Sequence, residues 1–371
     1  MAQTGRGAPC GASNRGWACL TLLAFLAATV TGCSIADDDE PAREPTTVAT
    51  DRHGKAPRNA LRFDWNGDAR EDLAWQDRNT KALTVWRMAG TSLLGATPAG
   101  RTTNTLFSVR ARLIGSDPCF DQVEYDGTTL TVIDRFQDLA SNTCVAAGQP
   151  GPAQAFRYAP AGWSLVAVEG SYDGSRQNQV LWRHATGTVG IWKLAPDGSV
   201  AASGFPATVP PRWTLADARG DYDGDGRSDL LWRDSDGTVA IWRMTSLDRI
   251  ADVAFIGTAP PERWTLADGA GDYDGDGRSD LLWVDADGNV VIWSVDLAGG
   301  SFRARPLGSA GPGWRVLDGS SDLNGDARSD IVWQHASGAV AVWLVNQTGV
   351  IDSRQVGVMD PAWELVSRSR R

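Results

Sequence analysis

The residues most suited to chemistry lie in a thirteen-residue stretch, GDYDGDGRSDLLW, which occupies positions 220–232 and recurs at 271–283. In the first copy, carboxylates fall at loop positions 1, 3, 5 and 9: Asp221, Asp223, Asp225 and Asp229. They could act in catalysis, hold a metal ion, or only cap backbone amides in a polar turn. Calcium takes six to eight oxygen ligands, and glycines at positions 4 and 6 let the chain wrap around one point. The spacing favours a calcium site, with the carbonyl of Arg227 as a further ligand.

The loop differs from an EF-hand in its last acid and in its flanks. An EF-hand loop carries glutamate at position 12 and lies between helices. Here the last acid is Asp229 at position 9, and the run Leu-Leu-Trp that follows it is typical of a strand. Four carboxylates on one loop would repel one another without a cation. We therefore expect a strand-flanked calcium loop.

Other catalytic patterns are scarce. The sequence contains no nucleophile elbow, P-loop, HExxH motif or paired-cysteine zinc spacing. His184 and His335 take the position before a hairpin turn that Asp77, Asp234 and Asp285 take in other units, so we interpret both histidines as turn residues. A glycosidase-like pair of carboxylates stays open as an alternative, because almost any two acids could approach each other in a compact repeat fold.

The elements that must position the acidic loops follow from an internal repeat of about fifty residues. A tryptophan follows each loop region, and a second comes ten or eleven residues later: Trp75 and Trp86, Trp182 and Trp192, Trp232 and Trp242, Trp283 and Trp293, Trp333 and Trp343. Within one unit, residues 213–217, 229–233, 238–243 and 253–258 are strand-like runs separated by Gly/Asp turns. Four antiparallel strands per unit predict a β-propeller. We interpret the tryptophans as packing between blades, with stacking on sugar rings as the alternative.

The two ends of the repeat region indicate how the ring closes. A strand that begins Trp-x-Leu, or Trp-x-Val in the unit at Trp314, opens four units, and Trp-x-Leu appears once more at 363–366 with no further unit after it. The loop at Asp64 has no such strand before it. Residues 363–366 should therefore complete the first blade and remove the open sheet edges. The expectation is an all-β, six-bladed propeller over residues 61–371, with a degenerate second blade at about 105–160.

Residues 1–32 have the pattern of an export signal, with Arg6 and Arg15 before an apolar run at 17–30 that is too short to span a bilayer comfortably. The end of this segment, Val-Thr-Gly-Cys33, resembles the lipobox of bacterial lipoproteins, which implies lipidation of Cys33; a plain signal peptide is the alternative. Residues 33–60 are polar and predict a flexible tether. Ser34, rather than aspartate, after the cysteine implies the outer membrane by the same resemblance.

The cysteines fit an exported protein. Cys10 and Cys19 would leave with the signal, Cys33 would take the lipid, and Cys119 and Cys144 would remain in the degenerate blade. Two leftover cysteines in an oxidising compartment predict one disulfide. It would compensate for the acidic loop and the tryptophans that this blade lacks.

The strand-flanked D-x-[DN]-x-D-x-x-x-D loop in tandem units of about fifty residues resembles the FG-GAP/VCBS repeat family, over residues 61–371. The family includes the integrin α-subunit propeller, where such loops bind calcium, and some lectin propellers. The resemblance implies four structural calcium sites, and their ligands would be Asp221, Asp223, Asp225 and Asp229; Asp272, Asp274, Asp276 and Asp280; Asp64, Asn66, Asp68 and Asp72; Asp322, Asn324, Asp326 and Asp330. The last two loops depart from the pattern, with Ala69 and Ala327 at position 6. Residues 171–179 keep one carboxylate, Asp173, and should bind no metal.

The charge balance bears on the partner. With 45 acidic and 35 basic side chains the chain carries a formal charge of −10, which argues against nucleic acid. We therefore expect a monomeric, non-catalytic, calcium-stabilised envelope lipoprotein that binds a protein or a glycan and contacts the membrane through its lipid alone. The alternative is a calcium-dependent enzyme that degrades polysaccharides, since propellers also host such activities.

Overall fold

The computed structural model describes residues 63–366, except for 67, 103–105, 112, 115–120, 134–136, 139–142, 145–154 and 159. The predicted signal peptide, the tether and Cys33 lie outside the described residues. The described residues form 26 β-strands. No helix among them is long and apolar enough to cross a bilayer.

Short runs rich in Val, Ile, Leu, Trp and Thr form the strands, and Gly/Asp turns separate them. In chain order the strands are β1 (Leu73–Asp77), β2 (Ala82–Ala89), β3 (Ser92–Arg101), β4 (Leu106–Ala111), β5 (Asp121–Tyr125), β6 (Leu130–Ile133), β7 (Gln137–Asp138), β8 (Thr143–Cys144), β9 (Ala155–Tyr158), β10 (Trp163–Ala167), β11 (Val180–His184), β12 (Val189–Leu194), β13 (Val200–Gly204), β14 (Trp213–Asp217), β15 (Leu230–Asp234), β16 (Thr238–Ser246), β17 (Arg249–Thr258), β18 (Trp264–Gly271), β19 (Asp280–Asp285), β20 (Asn289–Asp296), β21 (Ser301–Ser309), β22 (Trp314–Ser321), β23 (Asp330–His335), β24 (Ala339–Asn346), β25 (Gly349–Val358) and β26 (Trp363–Leu365).

The strands form six four-stranded antiparallel sheets, which confirms the predicted six-bladed propeller. Blade 1 has the strand order β26-β1-β2-β3, blade 2 has β4-β5-β6-β9, and blades 3 to 6 are the meanders β10–β13, β14–β17, β18–β21 and β22–β25. The predicted ring closure is also confirmed. Trp75, Gln76 and Asp77 of β1 pair with Leu365, Glu364 and Trp363 of β26, respectively.

The degenerate second blade lies where the repeat spacing predicts it. Strands β5 and β6 form the expected hairpin, with Val123 opposite Val132, and β9 pairs with β6. A small additional hairpin, β7 with β8, precedes β9. Cys144 ends β8, whereas Cys119 lies outside the described residues, so the disulfide stays a prediction.

The core consists of six apolar clusters, each formed between neighbouring blades among the described residues. The first tryptophan of each pair is at most 1% exposed: Trp75, Trp182, Trp232, Trp283 and Trp333. Its ring contacts the second tryptophan, with centroids from 4.9 Å apart in Trp232–Trp242 to 5.4 Å in Trp182–Trp192. The paired tryptophans therefore pack the blades, as interpreted from the sequence.

Strand β26 should carry the closure of the ring. A chain that ends at Ala362 leaves the backbone edge of β1 unpaired and opens the interface with Val366, which is fully buried. We expect a lower urea midpoint and soluble aggregates on gel filtration. A chain that ends at Val366 retains β26 and should behave as the full chain does; equal stability of the two truncations would contradict the role assigned to β26.

Candidate metal centres

Four loops join the first and second strands of blades 3 to 6, a fifth precedes β1 of blade 1, and all five share a positive φ at position 6. We name them by blade: loop 1 (64–72), loop 3 (171–179), loop 4 (221–229), loop 5 (272–280) and loop 6 (322–330). Position 6 has a positive φ in all five: 65° at Ala69, 64° at Arg176, 90° at Gly226, 81° at Gly277 and 66° at Ala327. The fold therefore imposes the loop conformation even where position 6 is not glycine.

The side chain of the position 1 aspartate organises the loop from inside. In loop 4, Asp221 Oδ1 accepts a hydrogen bond from Gly224 N at 2.7 Å, and Oδ2 accepts one from Gly226 N at 2.9 Å. Asp272 of loop 5 accepts the equivalent bonds from Gly275 and Gly277 at 2.7 and 2.9 Å. These bonds draw the chain around the first carboxylate, and the wrapped turn brings the next two acids towards it.

In loops 4 and 5 the first three carboxylates converge. Asp221, Asp223 and Asp225 each offer one oxygen, and these oxygens lie within 4.8 Å of one another; the same holds for Asp272, Asp274 and Asp276. Such a set of hard oxygen donors suits calcium. The predicted first three ligands of both complete loops are thus brought together, and the residues present fit the ion.

The fourth predicted ligand, at position 9, lies outside these three-carboxylate groups. Asp229 is 1% exposed; its Oδ2 accepts a bond from Tyr222 N at 3.0 Å, and its Oδ1 accepts one from Met244 N at 2.9 Å. It therefore ties its loop to β16. The pKa of Asp229 is raised to about 8, first by desolvation and also by the charges of Asp223 and Asp221, against the two backbone bonds, which lower it.

Burial raises the pKa of the position 9 carboxyl in the other acidic loops too. The pKa of Asp72 rises to about 6, and those of Asp280 and Asp330 rise well above the usual range, first through desolvation. Neighbouring loop carboxylates raise all three further. The acidic loops therefore hold negative charge at an electrostatic cost that a bound cation would offset.

Loops 1 and 6, which carry asparagine at position 3, keep the same internal hydrogen bonds. Asp64 Oδ2 accepts from Ala69 N at 2.8 Å, and Asp322 Oδ2 accepts from Ala327 N at 2.7 Å. Asn324 Oδ1 accepts from Asp326 N at 2.9 Å. The two loops therefore keep the internal bonds of loops 4 and 5, with an amide oxygen in place of the position 3 carboxylate.

Loop 3 replaces the missing acids with a cation of its own. Lys193 Nζ of β12 lies 2.6 Å from Asp173 Oδ2, the single carboxylate among the ligand positions. Gln179 stands where the other loops have the position 9 aspartate; it accepts a bond from Tyr172 N at 2.6 Å and donates to Asp173 Oδ1 at 3.0 Å. An ammonium and an amide thus complete a loop that the sequence predicts to bind no metal.

Loops 3 to 6 are each also joined to the corresponding loop of the next blade. Ser228 N donates to Ser171 O at 2.9 Å, Ser279 N donates to Asp221 O at 2.8 Å, and Ser329 N donates to Asp272 O at 2.8 Å. The hydroxyl groups of these serines accept bonds from the backbone amides of the same three partners at 2.9–3.0 Å. Glu71 N, bonded to Asp322 O at 3.0 Å, continues the series across the closure between blades 6 and 1. The candidate metal centres are therefore blade-to-blade joints.

The loop tyrosines reinforce the joints. Tyr172 Oη donates to Ala218 O of the next blade at 2.9 Å, and Tyr222 and Tyr273 donate to Gly269 O and Gly319 O in the same way. Sequence reasoning missed these contacts and Lys193. The R-S-D that ends loops 4, 5 and 6 was a usable signal for the serines. Nothing in the sequence marks Lys193, because its contact with Asp173 crosses between strands.

The two histidines are turn residues, as the repeat position indicates. His184 Nδ1 lies 2.8 Å from Thr186 Oγ1, and His335 Nδ1 lies 2.8 Å from Ser337 Oγ. Their rings contact Trp163 and Trp314, with centroids 5.1 and 5.2 Å apart. Each histidine thus packs against its own blade, at the turn that follows the second strand.

Comparisons with known proteins support the repeat assignment. Residues 221–283, which include loops 4 and 5, match the family model described as an FG-GAP-like repeat. No curated protein matches the chain. A solved structure of a protein of unknown function from Bacteroides caccae is similar over 75% of this chain and 84% of its own, with 11% identity and a TM-score of 0.37, a likeness too weak to support an argument.

Substitutions at position 6 should change the free energy of unfolding in opposite directions, depending on whether glycine or alanine stands there. Gly226→Ala meets no atom within 4 Å, so its effect reports backbone strain alone, and we expect a loss of about 1 kcal/mol in the free energy of unfolding. Ala327→Gly relieves the same backbone strain and should raise the free energy of unfolding by up to about 1 kcal/mol. Urea denaturation with chelator present measures the stability of both variants. A lower stability of Ala327→Gly would contradict the role assigned to backbone strain at position 6.

Lys193 should stabilise blade 3 whether or not calcium is present. Lys193→Met leaves the partly buried Asp173 without its cation, and we expect a loss of about 1–3 kcal/mol in the free energy of unfolding. The loss should shrink when Asp173→Asn is also made, which a double-mutant cycle measures. A loss that disappears when calcium is added would show that metal, rather than the ammonium, completes loop 3.

Proposed function

The chain is an FG-GAP repeat β-propeller, and from that premise we propose that it is a non-catalytic binding module whose blade-to-blade joints are stabilised by calcium. The observation that carries the proposal is the convergence of three carboxylates at each of two successive joints. Calcium would supply the positive charge that these joints need and would hold neighbouring loops in one geometry.

The joints make the proposed metal structural. Asp221 and Asp272 would each bind the ion through side-chain oxygens, while their backbone carbonyls accept bonds from Ser279 and Ser329 of the next blade. An ion held there would order two blades at once. Loops 1 and 6 would take the remaining ions, and loop 3 would take none because Lys193 occupies its charge position.

The export pattern of residues 1–60 extends the proposal to location. Lipid on Cys33 would anchor the propeller in the bacterial envelope, at the outer membrane, through the tether. The partner would be an envelope protein or glycan, and the acidic balance argues against nucleic acid. Glycan-array binding, set against crosslinking in intact cells, separates the two classes. A reducing-end assay with polysaccharides tests the absence of catalysis that we propose.

Removing calcium should lower the melting temperature. For sites with dissociation constants of about 0.1–1 mM, millimolar calcium stabilises the fold by roughly 0.4–1.4 kcal/mol per occupied site. A calorimetric melt with calcium and with chelator measures the difference. An unchanged melt would overturn the calcium proposal.

Substitutions in single loops show which loops produce the calcium-dependent change in melting temperature. Asp225→Asn combined with Asp276→Asn removes the position 5 acid, which all four acidic loops carry, from each complete loop and should reduce the response to calcium. Asp173→Asn in loop 3 is the matched control: it should lower stability equally with calcium and with chelator, because its partner is Lys193.

A further inference from the structure

A cavity of about 700 Å³ lies where the first strands of blades 5, 6 and 1 converge. Thr265, Arg315 and Glu364, which follow the opening tryptophans of β18, β22 and β26, line it side by side. Loops 5 and 6 follow the opposite ends of β18 and β22, about 25 Å away for strands of this length. The cavity is therefore a separate feature from the candidate metal centres, at the other end of the innermost strands.

The innermost strands are tied together at the loop end. Arg219 of blade 4 donates to Asp268 of blade 5 at 3.1 Å and to Ser320 of blade 6 at 3.4 Å. Its own neighbour Asp217 receives a further bond at 2.7 Å. This network of buried charges spans three blades at the loop end.

The charged groups that line the cavity are matched, with one exception. Arg78 forms an ion pair with Glu364. Asp285 accepts bonds from Asn289 Nδ2 at 2.8 Å and from the amides of Asp287 and Asn289. The Arg263 guanidinium lies over the ring of Trp264, 5.2 Å from its centre, and its positive charge also acts on the nearby Asp285 carboxylate.

Glu262, the remaining acid, lies near Arg233. Burial lowers the pKa of Arg233, and the charge of Glu262 raises it again. Every acid of the cavity thus has a cation or hydrogen-bond donors close to it.

The exception is Arg315. Its Nη2 donates to the neutral amide oxygen of Gln334 at 2.6 Å, and among the described residues no carboxylate lies within ion-pair distance of it. Burial lowers the pKa of Arg315, and the nearby guanidinium of Arg78 lowers it further. The three acids of the cavity each lie near another guanidinium, that of Arg78, Arg263 or Arg233, so among the described residues Arg315 is left without an acid of its own.

We propose that this cavity binds a small organic monocarboxylate, with the carboxylate on Arg315 and the body of the ligand against the apolar wall of Trp314, Leu266 and Leu317. A planar guanidinium matches a carboxylate through two parallel hydrogen bonds. One surplus positive charge favours a monoanion, and the three acids that line the cavity disfavour a dianion. The volume accommodates a ligand with one ring and leaves room for a larger one.

This inference rests on the proposed non-catalytic binding role and is independent of calcium. The ligand would occupy the end of the ring remote from loops 4 and 5. Binding should therefore be measured on the full chain with calcium and with chelator. If ligand binding persists with chelator and the melting temperature does not depend on calcium, the ligand proposal stands and the calcium proposal is wrong.

The test uses matched probes that differ in one group. Benzoate and glucuronate carry one carboxylate, benzamide and glucose are their neutral counterparts, and phenyl phosphate is a dianion. Calorimetry and saturation-transfer NMR should detect benzoate or glucuronate at millimolar concentration and neither neutral counterpart. Binding of neither carboxylate overturns the proposal, and phenyl phosphate binding as tightly as benzoate overturns the preference for a monoanion.

Substitution of Arg315 locates the site. Arg315→Gln should weaken carboxylate binding by about ten-fold or more, and Arg315→Lys, which keeps the charge without the planar fork, should weaken it less. Arg303→Gln on the exposed side of β21 is the charge-matched control and should leave binding unchanged. Melts of each variant establish that the fold is intact. Equal binding by Arg315→Gln and the unsubstituted chain overturns the assignment.

Discussion

The pairing of β26 with β1 is the interaction on which the rest of the structure depends. Three residue pairs join the two ends of the repeat region, and they place Trp75 in a core shared with Val332 and Val340 of blade 6. Each blade of a propeller buries its faces only against its neighbours. A gap at one interface would expose apolar surface on two blades and an unpaired edge on one of them.

Within the closed ring, the backbone conformation of the acidic loops and the balance of their charge have separate structural causes. In the four acidic loops the conformation is supported by backbone hydrogen bonds to the position 1 aspartate and by a positive φ at position 6. Loop 3 keeps the positive φ, although its position 1 residue is Ser171, whose hydroxyl makes no such bond. The negative charge of the loops is balanced independently of their conformation. Lys193 neutralises loop 3 from within the chain, whereas loops 4 and 5 concentrate carboxylates that a calcium ion would neutralise.

The two ends of the innermost strands therefore differ in chemistry. At the loop end, Arg219 and its aspartate partners are buried and mutually satisfied. At the other end, the repeat positions diverge from Thr265 to Arg315 to Glu364, and the divergence leaves a cavity with one surplus guanidinium. Surfaces where repeat units differ are the natural place for specific binding, because the conserved positions of each unit are committed to packing.

The sequence by itself determined the blade count, the degenerate second blade, the ring closure and the four acidic loops. It could do so because period and turn chemistry are local and repeat along the chain. The tertiary structure alone decided which groups meet across blades. Asp229 lies outside the three-carboxylate group and accepts hydrogen bonds from the backbone amides of Tyr222 and Met244. Lys193 of β12 contacts Asp173 in loop 3. Arg315 donates a hydrogen bond to Gln334 instead of pairing with an acid. Such contacts depend on strand register and blade stacking, and neither is encoded by residue spacing within one unit.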